Sequence, residues 1–151
     1  MNTIYSYNFW KSLLFRQNDH HRYGTFRHTV MVAYHLIKAK EYKLIPAATM
    51  HDFGKPFTAK PDKDDIARGN GELSFANHEA ISYLVIKNWG FVSGYSKEIV
   101  RHHYLIRGMG KAKKKNELPK YRRLKRTWDG LSLEMKKDLA IFLKADDLAK
   151  K

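Results

Sequence analysis

The chain has 151 residues, a net charge of +14 and no cysteine. That length accommodates one domain with a real core, and 43% apolar with 13% aromatic residues excludes a chain disordered by composition. The missing cysteines exclude a disulfide framework, a thiolate metal site and a cysteine nucleophile.

The first 15 residues show no basic leader followed by an apolar run, and no stretch reaches membrane-spanning length, so a cytoplasmic protein without a membrane partner is expected. Ile4, Tyr7, Trp10, Leu13 and Leu14 fall at helical spacing and predict a helix over residues 3–15. A polar break from Asn18 to Gly24 holds His20 and His21; it reads as a solvated loop or as the mouth of a site. Thr25 can cap a second helix running to about Tyr42, with Val32, Leu36 and Ala39 as its apolar stripe. His28, one turn before Val32, projects inward; His35 reads as packed or partly exposed. Pro46 suits the first turn of a third helix, which carries Ala47, Ala48, Met50, His51 and Asp52 and is ended by Gly54.

Residues 55–73 read as a loop with Lys55, the acidic run Asp62 to Asp65, and glycines at 69 and 71. A loop this long, leaving directly from His51-Asp52, is expected to border a site. A fourth helix is expected from near Ser74 to Trp89, with Ile81, Leu84 and Val85 as its buried face. A fifth holds Ile99, Val100, His102, His103 and Tyr104 and frays at Gly108. The segment Lys111 to Arg126 carries nine basic residues and Glu117, contributing +8 of the net charge. It reads as a basic insertion over about 108–127, with helix from about Lys120 to Thr127. Such a field attracts polyanions, or it is a solvated loop. A last helix spans Leu131 to Ala149; Asp146 falls on its inward face with Phe142 and Leu143, and Asp147 is rotated away. No segment reads as strand.

Five of the eight histidines, His28, His51, His78, His102 and His103, lie in or beside apolar helical patterns, as do Asp52 and Asp146. Each alone is explained by a hydrogen-bonded core position. Buried together without a shared partner they would cost roughly 1–3 kcal/mol per unsatisfied group. A divalent ion satisfies them jointly, and imidazole with carboxylate suits Fe, Mn, Co, Ni or Zn.

The pieces RHTVMVAYHL, MHDFGKP, FANHEAIS, IVRHHYL and LKADDLAK occur in that order over about residues 25–149. Together they resemble the HD-domain superfamily of metal-dependent phosphohydrolases. The HDxGKP and HExxS pieces look closest to the HD domains of tRNA nucleotidyltransferases. The double histidine also recurs in HD-GYP phosphodiesterases and CRISPR-associated HD nucleases; no GYP motif is present, so cyclic-dinucleotide cleavage has no support.

The resemblance implies an all-α fold, a single compact helical bundle over 1–151, and divalent metal ions, two in number, with Mg among the possible identities. It implies that His28, His51, Asp52 and Asp146 hold one ion. Asp52 would bridge to a second ion held by His78, His102 and His103. Two such ions activate a shared water and clamp a phosphoryl group. Lys55 is expected to contact that group as a catalytic cation beside Asp52. Arg101 and Arg107 are further substrate candidates or simply exposed residues, and Glu79 either supports a histidine ligand or faces solvent. The expected activity is hydrolysis of a nucleotide phosphomonoester or phosphodiester by a metal-activated hydroxide. The alternatives are a nuclease on single-stranded DNA or RNA, or a non-enzymatic nucleic-acid-binding module; Tyr121 and Trp128 would stack bases in either.

Overall fold

The computed structural model describes residues 16–18, 21–60, 66–67, 69 and 74–150. The helix expected over 3–15, His20, and the acidic run 62–65 lie outside the described residues. A short antiparallel pair, β1 (Arg16–Asn18) and β2 (His21–Gly24), comes first, where no strand was expected. The segment is too short and too polar for a period-two pattern to show. From there the fold is all-α.

Helix α1 (Thr25–Lys38) starts directly after β2, so Thr25 lies inside its first turn and Gly24 is the cap. It stops short of Tyr42 because Lys40 takes a left-handed conformation, φ 62°, and the Glu41 amide turns back to the Leu36 carbonyl. A lysine does in this turn what glycine usually does, which hides the helix end from sequence patterning. Ala39 is accordingly an exposed cap residue, while Val32 and Leu36 are fully buried. A 3-10 turn at Tyr42–Leu44 leads into α2 (Ile45–Met50), with Pro46 in its first turn as expected. The His-Asp turn follows, and then α3 (Lys55–Thr58), a single turn of helix inside the expected loop.

Helix α4 (His78–Ile86) is shorter than its apolar pattern suggested, and its buried face is different. His78, Ser82 and Ile86 point inward, whereas Leu84 is 51% exposed. Two polar residues take the inward face because that face meets the His-Asp turn. Helix α5 (Gly94–His102) is capped by the Ser93 hydroxyl, which accepts from the Ser96 amide.

The basic segment is a helical hairpin of α6 (Leu105–Lys114) and α7 (Leu118–Asp129), not a loop. Gly108, read as a point of fraying, is buried in the middle of α6; a Cβ there would come within 3.3 Å of Leu124 Cδ1 on α7. Glycine lets the two helices close on each other. Pro119 sits in the first turn of α7, a position that costs no hydrogen bond.

Helix α8 (Leu133–Leu148), capped by Ser132, closes the bundle. It packs on α1, α5 and α6, while α2 packs on α1 and α5, and α4 on α3 and α5. Val32, Leu36, Leu44, Ile99, Leu139 and Phe142 form the fully buried core. No helix among the described residues is long and apolar enough to cross a membrane.

Candidate metal centre

Five helical segments converge on one end of the core. α1 brings His28, the turn after α2 brings His51 and Asp52, α4 brings His78, the end of α5 brings His103, and α8 brings Asp146. All six are buried. They form two groups, each able to offer ligand atoms within 4.8 Å of one another: His28, His51 and Asp146, then Asp52, His78 and His103.

Asp52 stands between the groups. Its Oδ2 lies 3.3 Å from His51 Nε2 and 3.7 Å from His28 Nε2. Its Oδ1 lies 3.7 Å from His78 Nε2. One oxygen faces each group, which is the arrangement a bridging carboxylate needs. Asp146 presents Oδ1 to His28 Nε2 at 2.8 Å and to His51 Nε2 at 3.8 Å.

The histidines are held by their own helices. His51, His78 and His103 each direct Nδ1 at the backbone carbonyl three residues earlier, at 2.7, 2.8 and 2.7 Å. A carbonyl only accepts, so Nδ1 carries the proton and Nε2 is the free lone pair of the neutral ring. This tautomer is the one that ligates through Nε2.

Burial pushes His78 down to about 4, with Lys55 adding to the shift, and pushes His103 well below the usual histidine range, so both are neutral near pH 7. Their Nε2 atoms nevertheless sit 3.1 Å apart. Two lone pairs at that separation repel unless a cation lies between or beside them. For His51, burial alone would lower the pKa, but the carboxylates of Asp52 and Asp146 outweigh it and raise it to about 9. Asp52 is held well below the usual carboxylate range against its burial, by His51 and then Lys55. His51 Nε2 and Asp52 Oδ2 make no hydrogen bond of ordinary geometry among the described residues. Buried and facing one another across the centre, these atoms and the facing histidines fit divalent cations.

Lys55 is buried rather than standing at a mouth; its ammonium is 2.6 Å from Asp52 Oδ2 and 5.7 Å from the Phe75 ring centroid. The two form a close buried ion pair.

His102 joins neither group. Consecutive helical positions differ by about 100° in direction, so with His103 turned inward His102 turns away, and its Nε2 meets Glu98 Oε2 at 3.2 Å. Arg101 is likewise directed outward, to Glu98 at 3.6 Å and over the Tyr83 ring. Arg107 does lie at the centre, but on a ligand: its Nη2 donates to Asp146 Oδ2 at 2.8 Å and also to Asp147. Glu79 is partly buried, with its Oε2 3.5 Å from His78 Nδ1, and burial raises its pKa.

Two residues escaped sequence reasoning as parts of the site. Lys150 Nζ donates to Asp146 Oδ2 at 2.8 Å, completing with Arg107 a cationic clamp on the oxygen that faces away from the histidines. Its position, i+4 from Asp146 at the helix end, was the available signal. Ser82 accepts from the Gly54 amide and donates to the His51 carbonyl, both at 2.7 Å. The serine of the HExxS piece thereby fixes the turn that carries Asp52.

The sequence matches the family model of the HD domain over residues 25–148. No curated protein and no solved structure matches.

Proposed function

Since the chain belongs to the HD-domain family, whose members bind divalent metals and fall in the metal-dependent phosphohydrolase superfamily, we propose that it hydrolyses a phosphomonoester or phosphodiester of a nucleotide at a two-ion centre. His28, His51 and Asp146 would hold one ion, His78 and His103 the other, and Asp52 both. The observation that carries this reading is the placement of Asp52, with one oxygen toward each histidine group.

Divalent ions held by these residues would supply a water of lowered pKa and positive charge for a phosphoryl group. The chain supplies the rest. Nδ1–H bonds to backbone carbonyls keep three imidazoles in one tautomer and orientation, so they need not reorganise as the reaction proceeds. Lys55 balances the charge of Asp52 and offers its ammonium beside the reacting group. Arg107 and Lys150 fix the rotamer of Asp146, leaving Oδ1 for the centre. Burial of the ligand set keeps bulk water from screening these charges.

The test is a panel of nucleoside mono-, di- and triphosphates and dinucleotides, incubated with protein loaded with Mn, Fe, Co, Ni, Zn or Mg. Metal-dependent release of phosphate, nucleoside or nucleoside monophosphate, lost in Asp52→Ala, is expected. Absence of turnover with every metal would leave a binding module instead.

A further inference from the structure

The helical hairpin joins the metal centre without a spacer: His103 is followed by Tyr104, and α6 begins at Leu105. The Tyr104 ring stands 5.3 Å from the His78 ring. Two cations lie over it, Arg107 at 5.8 Å and Lys111 at 5.5 Å. Residues 107, 111 and 114 recur at i, i+4 and i+7, so Arg107, Lys111 and Lys114 share one face of α6. This face flanks the buried one formed by Leu105, Gly108 and Ala112.

The row begins at Arg107, which donates to Asp146, and extends about 10 Å along the helix at 1.5 Å per residue. Arg107 is engaged with Asp146 and Asp147. Lys111 and Lys114 are exposed and have no carboxylate partner among the described residues, nor do Arg122, Arg123 and Arg126 across the hairpin. Elsewhere on the hairpin the carboxylates are already paired: Glu117 with Lys120, and Asp129 with Lys125. Of these uncompensated cations, Lys111 and Lys114 lie along a helix face that ends at Tyr104 and the second ligand group.

We propose that this face of α6 is a docking track for single-stranded nucleic acid, with Lys111 and Lys114 contacting successive backbone phosphates and Tyr104 marking the step into the metal centre. The inference rests on the phosphoester reading above for the chemistry of the strand it names. A single strand suits the geometry better than a duplex. The ligands are buried, so the bond to be cut must descend to them, and one helix face offers room for one backbone. Tyr121 and Trp128 are not the stacking residues of such a track. Trp128 packs against the core with Lys136 over its ring, and Tyr121 lies with Leu124 on the face of α7 turned to α6.

The test uses the full chain loaded with Mn and a fluorescent phosphorothioate-linked thymidine 12-mer, which resists cleavage, with anisotropy read from low to high salt. The Lys111→Ala/Lys114→Ala protein should bind at least about 10-fold more weakly at moderate salt. Its log–log salt slope should shrink by about 1.4, at roughly 0.7 for each single-strand phosphate that no longer meets a lysine. Lys38→Ala/Lys87→Ala, which removes the same charge from exposed positions on α1 and after α4, should leave both values unchanged. Equal weakening by the two double variants would reduce the track to net charge and overturn it. So would binding of the corresponding duplex, or of anionic phosphatidylserine vesicles, as tight as that of the single strand. The two readings fail separately. Row-dependent strand binding by a protein that hydrolyses no nucleotide defeats the phosphoester reading alone, and nucleotide hydrolysis with row-independent binding defeats the track alone.

Discussion

Asp138 and Asp146 lie two turns apart on α8 and are both buried, yet their surroundings are opposite. Asp138 Oδ2 receives the Tyr95 hydroxyl and stands 2.7 Å from Lys43 Nζ, which also reaches Glu134. Its partners are a hydroxyl and an ammonium, both donors. Asp146 has its outer oxygen satisfied in the same way by Arg107 and Lys150, but its inner oxygen faces two imidazoles. Burial of a carboxylate therefore does not separate a structural lock from a ligand. The partners do: a hydroxyl and an ammonium close a network, whereas imidazole nitrogens facing carboxylate oxygens are groups that can all turn to a cation.

The largest expected effect comes from removing the carboxylate that both ligand groups share. Asp52→Ala should bring metal-dependent turnover to background and abolish the rise in melting temperature that added metal gives; wild-type turnover in this variant would refute the bridging role. Next is the clamp. Arg107→Ala removes one of the two cations that hold Asp146 Oδ2 and should weaken metal binding about 10- to 100-fold, the range for residues that orient ligands, read by calorimetric titration of the metal-free protein. An unchanged affinity would mean that Lys150 and His28 suffice to set the rotamer.

On the other side of the comparison, Asp138→Ala strands the Tyr95 hydroxyl. It should cost about 1–3 kcal/mol in denaturant unfolding with no change in metal affinity. A metal-affinity loss matching that of Arg107→Ala would erase the distinction between the two carboxylates.

The last comparison is in pH. In the metal-free protein His78 and His103 are held below the unfolded value of about 6.5. Their contribution is present above pH 6.5 and is lost as pH falls, for His78 through about 4. His51 is raised to about 9, so its contribution is full below 6.5 and lost as pH rises through 9. Stability of the metal-free protein should therefore peak near pH 6.5, with limbs of about 1.4 kcal/mol per pH unit for each proton linked. In the Asp138 cluster, burial and then the bond to Asp138 push Tyr95 up to about 12, and its contribution is lost only as pH rises from 10 through 12. Saturating metal should flatten the histidine limbs and leave the tyrosine limb in place. Melting curves from pH 4 to 11 read both.

The helices of the candidate centre were legible because residues able to ligate metal, at the bottom of apolar stripes, break the pattern in a recognisable way. His28 below Val32 and Asp146 beyond Phe142 are such cases. The same logic failed on α4, where Ile81, Leu84 and Val85 outvoted His78 and Ser82 for the inward face. A face that serves a polar centre is polar, so hydrophobicity points away from it. Of the adjacent histidines His102 and His103, sequence alone could not choose one, because the choice depends on where α5 ends and turns. The hairpin of α6 and α7 was hidden for another reason. Its glycines and lysines have the composition of a loop, and only the close approach at Gly108 shows why glycine is there. Asp138 drew no notice because its partners, Tyr95 and Lys43, are distant in sequence and ordinary in type.

Gly54 sits where the His-Asp turn meets α4. A Cβ there would fall 2.1 Å from the His78 carbonyl oxygen and 2.7 Å from the Ser82 amide. The contact is thus main chain against main chain, where the turn that carries His51 and Asp52 meets the helix that carries His78, with Ser82 stitching the edges together. The gap between the groups behaves as a fixed gauge, set by backbone thickness and not by side-chain rotamers. In the proposed two-ion centre, exchanging a ligand would alter which ion is preferred at one position, but the separation between the two groups would be inherited from the fold.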